Sequence, residues 1–193
     1  MSYDSIRLAS ASPRRSLLLR QIGVAHAVAA VDVDETRLPP ETPAEHVLRL
    51  ARAKARAGAC ADLPVLAADT AVALGGELFG KPVDEADAVR ILGALAGRCH
   101  EVFTAVAVEC PGRVSTALSV SRVWFRPITA DECRRYWATG EPAGKAGGYA
   151  IQGFAAVFVE RLEGSYSGVM GLPLYETAAL LDGAGVRRWS TSP

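Results

Sequence analysis

The stretch Val65–Leu74 constrains this 193-residue chain more than any other. It is apolar except for Asp69 and Thr70, and Pro64 and Gly75-Gly76 bound it on either side. Too short and too β-branched in its flanks for an obvious helix, it reads as a buried strand with a turn after it. Strand-like and helix-like segments alternate around it, which predicts an α/β fold rather than separate all-α or all-β domains.

The first unit is a strand at Ile6-Arg7-Leu8-Ala9 followed by a helix from Pro13. Ser12 is its expected N-cap, Leu17, Leu18 and Ile22 its inner side, and Gly23 its stop. A second strand is expected over residues 26–33, leading into the acidic turn Asp32-Val33-Asp34-Glu35. Thr42-Pro43-Ala44-Glu45 reads as a capping box, and so does Thr129-Ala130-Asp131-Glu132, whose helix should stop at Gly140. Asp84 caps a helix that turns Val89, Leu92 and Leu95 inward and ends at Gly97. Segments 101–109 and 114–125, joined by Pro111-Gly112, form an antiparallel hairpin, so the sheet is mixed. A glycine-rich loop over 144–153, a strand over 154–162 and a last helix after Pro173 complete the expected order.

Half of the residues are hydrophobic, enough for a substantial core in one domain over residues 1–193 or in two lobes of one. Acids and bases balance at 21 each, so no net field draws in a nucleic-acid polymer or an anionic membrane; a small anionic ligand held by local clustering fits better. Cysteines 60, 99, 110 and 133 form no Cys-x-x-Cys pair and share no ligand spacing with histidines 26, 46 and 100, so reduced thiols and no structural zinc are expected. No signal-peptide pattern opens the chain, and no uncharged apolar run approaches the roughly 20 residues that span a bilayer. A cytosolic protein is the expectation.

Ser12-Pro13-Arg14-Arg15 places two arginines in the first turn of a helix, where acids are usual. Either both are solvated, or an anion such as phosphate sits there among backbone N–H groups and guanidinium forks. Lys54 shares a face with Val47, Leu50 and Ala51 at about 100° per residue, while Arg49, Arg52 and Arg56 gather opposite as solvent decoration. Its ammonium must snorkel out or meet a negative partner. Asp69, inside the most hydrophobic strand, needs hydrogen bonds, a basic partner or a metal. Glu35 in its acidic turn and Lys81 in Gly80-Lys81-Pro82 are either loop charges or faces of the same cleft. Gln152 either satisfies loop backbone or presents its adjacent donor and acceptor to the N–H and carbonyl edge of uracil or thymine.

Collectively, Leu8-Ala9-Ser10-Ala11-Ser12-Pro13-Arg14-Arg15, Leu50-Ala51-Arg52-Ala53-Lys54-Ala55, Ala67-Ala68-Asp69-Thr70, Gly80-Lys81-Pro82, Gly148-Tyr149-Ala150-Ile151-Gln152-Gly153 and Gly164-Ser165-Tyr166-Ser167-Gly168-Val169-Met170-Gly171-Leu172-Pro173 resemble the Maf nucleoside triphosphate pyrophosphatases. The one departure is Ala11, where that family often has glycine. The resemblance implies an elongated mixed sheet with flanking helices in two lobes around a nucleotide cleft, like the inosine triphosphate pyrophosphatases. It implies hydrolysis of dTTP and UTP to the monophosphate and pyrophosphate, with Mg2+ or Mn2+, as a homodimer. By resemblance, Asp69 is the general base or water-orienting group, Glu35 is an acid associated with the metal and water, and the division of roles between the two stays open. Ser10, Arg15, Lys54 and Lys81 contact phosphates, and Arg14, Thr70 and Gln152 tune base choice. A sister branch acting on 7-methyl-GTP and a non-catalytic nucleotide-binding regulator of septation are the alternatives; Gln152 speaks against the first, and a site holding both acids and bases against the second.

Overall fold

The computed structural model describes residues 2–189 and has the alternating order expected from the sequence. The elements are β1 (Ser5–Leu8), α1 (Pro13–Gln21), β2 (Ala25–Val28), α2 (Pro43–Ala57), β3 (Val65–Leu74), β4 (Glu77–Phe79), α3 (Glu85–Leu95), β5 (Cys99–Cys110), β6 (Arg113–Phe125), α4 (Ala130–Ala138), β7 (Val159–Glu163), α5 (Tyr166–Met170) and α6 (Leu174–Gly183). Seven strands form one mixed sheet in the order β2-β1-β3-β5-β6-β7, with β4 also on β3. β1 runs parallel to β2 and β3, and the other pairs are antiparallel. The Pro111-Gly112 turn closes the β5–β6 hairpin between the paired residues Cys110 and Arg113, with Gly112 at φ 80°, a conformation glycine adopts without a Cβ penalty.

Strand alternation on β3 sorts the core into two sides. Val65, Ala67 and Ala71 point to one face and pack with Val47, Ala51 and Ala55 of α2. Leu66, Ala68 and Val72 point to the other, where Leu18, Leu19, Leu92, Phe125 and Leu181 join a larger cluster. Each fully buried leucine there contributes about 1.5–3 kcal/mol, so the larger cluster carries most of the hydrophobic stabilisation. Alanines on the smaller side let α2 approach the sheet closely. The Thr42 capping box holds that helix: the Thr42 side chain accepts from the Glu45 N–H, and the Glu45 carboxylate accepts from the Thr42 N–H at 2.8 Å. The Thr129 box on α4 and the Asp84 cap on α3 also form as expected.

Four local expectations need correction. Leu17 is 54% exposed, whereas Leu18 and Leu19 are buried. Arg14 and Leu18, and Arg15 and Leu19, are i,i+4 pairs, so anchoring both arginines inward rotates Leu17 outward. The Ser12 side chain makes no cap; its N–H instead donates to Ser10 Oγ at 3.2 Å. β2 stops at Val28 rather than reaching residue 33, because among the described residues it pairs with β1 alone, which ends at Leu8. The segment beyond it leaves the sheet, and Val31 and Glu35 line a cavity. Residues Phe154–Phe158 form a 3-10 turn rather than a strand, since the N–H groups of Phe154 and Ala155 donate to the Glu141 carboxylate instead of to a ladder.

Candidate active site

A gap in the sheet creates the site. β1 pairs with β3 at Val65 and Leu66, and β4 pairs with it again from Val72. Between them, Asp69 and Thr70 sit on an edge of β3 that neither neighbour covers. Successive side chains point to opposite faces, so Asp69 turns toward α2 and Thr70 toward α1 and α5, yet both line one cavity of about 920 Å3. Ser10, Arg14, Arg15, Glu35, Lys54, Lys81 and Gln152 line it as well. All nine residues singled out in the sequence therefore share one concavity.

Lys54 finds its negative partners in the cavity, buried Asp69 and the more exposed Glu35, instead of snorkelling out. Its ammonium donates to Asp69 Oδ1 at 2.7 Å and to Glu35 Oε1 at 2.5 Å, with the Lys54 and Asp69 side chains each 12% exposed. Lys81 donates to Glu35 Oε2 at 3.4 Å. Partial burial raises the Glu35 carboxyl, but the hydrogen bond and charge of Lys54, helped by Lys81, outweigh it and hold the group below the ordinary carboxylate range. α2 makes this possible, because Lys54 extends the buried stripe of Val47, Leu50 and Ala51 onto the face above Asp69.

The two arginines of α1 are fixed by the chain that follows Ser165. Arg14 Nε donates to the Met170 carbonyl at 3.0 Å and Arg15 Nε to the Gly171 carbonyl at 2.9 Å. Arg15 also donates to Ser10 Oγ at 2.9 Å and, at a long 3.5 Å, to Thr70 Oγ1. Thr104, paired directly with Thr70 across β3 and β5, donates to the Gly168 carbonyl at 2.8 Å and lies 3.1 Å from Thr70 Oγ1. Gly171, at φ 117°, occupies the left-handed region that favours glycine and lets its carbonyl meet Arg15. Burial pushes the Arg15 guanidinium below its ordinary value, with Asp69 opposing the fall and Arg14 adding to it. Two guanidinium groups held beside a helix N-terminus, with no acid in the first turn of α1, are an arrangement that favours negative charge.

The opposite wall comes from Glu141 to Gln152. Lys145, Tyr149 and Gln152 line it, and Gln152 is exposed. Burial lowers the Lys145 ammonium, and nearby Arg14 lowers it further while Glu141 opposes. Five Lys and Arg side chains face three Asp and Glu in the cavity lining, a balance that suits a polyanion. Sequence reasoning missed Lys145, Glu141 and Thr104, since each looks like an ordinary loop or strand residue until the sheet brings it alongside. Arg49, expected as solvent decoration, is instead half-buried and clamps Glu41 and the Thr36 carbonyl, tying the chain after Glu35 to α2. Hydrogen bonds from Arg49, Leu38 and His46 bring Glu41 down to about 2.

Residues 5–184 match the family described as Maf-like protein. A protein of Cupriavidus pinatubonensis named dTTP/UTP pyrophosphatase is 51% identical over an alignment covering 96% of this chain and 99% of that one. One of the same name from Bordetella parapertussis is 52% identical over 93% of this chain and 92% of its own length. A third, from Methylobacillus flagellatus, is 50% identical over 96% of both. With the family match over residues 5–184 and identity at this level across nearly the whole length, this chain belongs to the Maf-like family.

Proposed function

We propose that this protein hydrolyses dTTP and UTP to the nucleoside monophosphate and pyrophosphate. The observation that carries the reading is the Glu35–Lys54–Asp69 cluster at the uncovered edge of β3, facing Arg15 and Ser10 across one cavity. The names of the relatives agree with it.

Hydrolysis at the α-phosphorus requires an in-line water, neutralisation of the leaving pyrophosphate and a proton acceptor. Arg15, Lys54, Lys81 and the start of α1 supply the neutralisation, with Ser10 oriented by Arg15 toward the same phosphates. Asp69 takes the proton as the water oxygen bonds to the α-phosphorus and the α–β anhydride bond breaks. Lys54 occupies Asp69 Oδ1, and a carboxylate offers about four lone-pair sites, so capacity for water remains. Arg14, Thr70 and Gln152 read the base, Gln152 through the side-by-side donor and acceptor that match a uracil or thymine edge.

Magnesium and manganese take oxygen donors, commonly one or two carboxylates completed by phosphate and water. Glu35 and Asp69 fit that pattern, because both carboxylates already converge on one cationic centre, the Lys54 ammonium. No third His, Cys, Asp or Glu joins them in a metal-holding group among the described residues, so phosphate and water would complete the shell. A divalent cation there would polarise a phosphate oxygen and lower the pKa of water.

We also read residues 1–193 as one domain of two lobes, acting as a homodimer in the cytosol on free nucleotides rather than on a nucleic-acid polymer. The balanced charge supports the last point. No helix among the described residues is long and apolar enough to cross a membrane. The test is product release from dTTP, UTP, CTP, dGTP and 7-methyl-GTP with Mg2+ or Mn2+. Pyrophosphate and monophosphate from dTTP and UTP are expected; orthophosphate as the product, no release, or a preference for 7-methyl-GTP overturns the reading.

A further inference from the structure

One carboxylate on the far wall of the cavity holds the segment around Gln152 at both ends. Glu141, just beyond α4, accepts the Tyr136 hydroxyl at Oε1 (2.7 Å), the Phe154 N–H at Oε2 (3.0 Å) and the Ala155 N–H at Oε1 (3.3 Å). The Tyr136 hydroxyl in turn accepts the Ala150 N–H at 3.1 Å. The backbone is thus tied two residues before Gln152 and again two and three residues after it. Gly153 lies between the ties, and a Cβ built there would fall on the Glu141 carboxylate. The clamp therefore demands glycine next to Gln152 for lack of space.

We propose that Glu141, acting with Tyr136, is a positioning residue for base selectivity: it fixes the Gln152 segment so that the Gln152 amide keeps its register with the edge of a pyrimidine base. The inference rests on the reading that the site takes dTTP and UTP. An amide discriminates bases only when its donor and acceptor are held within about 0.5 Å of the productive geometry, and Gln152 itself is exposed, so its precision must come from the backbone that carries it. Glu141 lines the cavity, yet three donors already engage its carboxylate, which suits a strut better than a ligand. Burial and the hydrogen bond to Glu141 raise the Tyr136 phenol, so it stays a protonated donor to that carboxylate.

The test compares kcat/KM for dTTP with that for dGTP, alongside inhibition by pyrophosphate, in the full-length chain. Glu141→Ala should lower the dTTP-to-dGTP ratio about tenfold or more, the scale on which a lost recognition contact is read. Glu141→Gln, which keeps one acceptor oxygen, should fall between that variant and the parent. Tyr136→Phe, which releases the Ala150 end, and Gly153→Ala, which displaces the carboxylate, should lower the ratio too, and either serves if Glu141→Ala does not fold. Inhibition by pyrophosphate should stay within about twofold, since the phosphate-facing residues are untouched. Unchanged ratios in folded variants overturn the proposal. So does a loss of pyrophosphate inhibition in step with the ratio, which would mark a general collapse of the site. A parent protein that releases no pyrophosphate from dTTP is a different failure, that of the proposed function.

Discussion

Replacing Lys54 by methionine keeps most of the apolar stem and removes the ammonium that Glu35 and Asp69 share. Because the two carboxylate oxygens touch the same nitrogen at 2.5 and 2.7 Å, they lie within about 5 Å of each other. Two unit charges at that separation repel by about 3 kcal/mol at an effective dielectric of about 20. Removing one partner of a buried pair costs about 3–5 kcal/mol, but Glu35 is 47% exposed and water screens its share, so about 2–3 kcal/mol is expected. At about 2–4 °C per kcal/mol for a chain of this size, the melting temperature at neutral pH should fall by about 5–10 °C. The sign of the pH dependence follows from Glu35, whose folded pKa lies below its unfolded value. Its contribution is present above the unfolded pKa of about 4.3 and is lost as pH falls through the lower folded value. The variant lacks that contribution, so its deficit should be widest at neutral pH and close in acid. Calorimetric melts of both proteins across pH measure it. A deficit of equal size at every pH, or none at neutral pH, would refute the ion-pair account and leave only packing.

Asp69→Asn should keep the buried shape and one acceptor for Lys54 while removing the proton acceptor. Turnover of dTTP should drop about 10²–10⁴-fold with KM nearly unchanged, as steady-state kinetics would record, and a fast enzyme would remove Asp69 from that role. Arg15→Lys cannot meet the Gly171 carbonyl and Ser10 Oγ together and still face an anion, so KM should rise about tenfold with a smaller change in kcat. His100 is 1% exposed, with Nε2 against the Tyr149 hydroxyl and Nδ1 buried without a partner among the described residues. Burial brings it down to about 4, so the unfolded chain takes up the proton first as pH drops below about 6.5, and about 3 kcal/mol of stability should be lost by pH 4. His100→Phe should flatten that window in denaturant titrations, and an unchanged slope would count against it.

The elements were legible where local chemistry is strong. Two capping boxes, the Asp84 cap, the Pro111-Gly112 turn and the apolar run of β3 each act within a few residues, so spacing alone specified them. Lys54 on an apolar face and Asp69 in an apolar strand were anomalies visible in the chain, because burying either charge alone is unfavourable. That each was the other's solution depended on strand parity and on where α2 crosses the sheet. Leu17, the short β2 and the 3-10 turn at Phe154–Phe158 depart from local pattern for a shared reason: contacts distant in sequence, from Met170, Gly171, Leu8 and Glu141, override it. Which side chains are chemically out of place can be read along the chain, since that depends on immediate neighbours and periodicity. That they meet depends on long-range strand pairing: the uncovered edge of β3 exists because β1 stops too early and β4 starts too late to cover it.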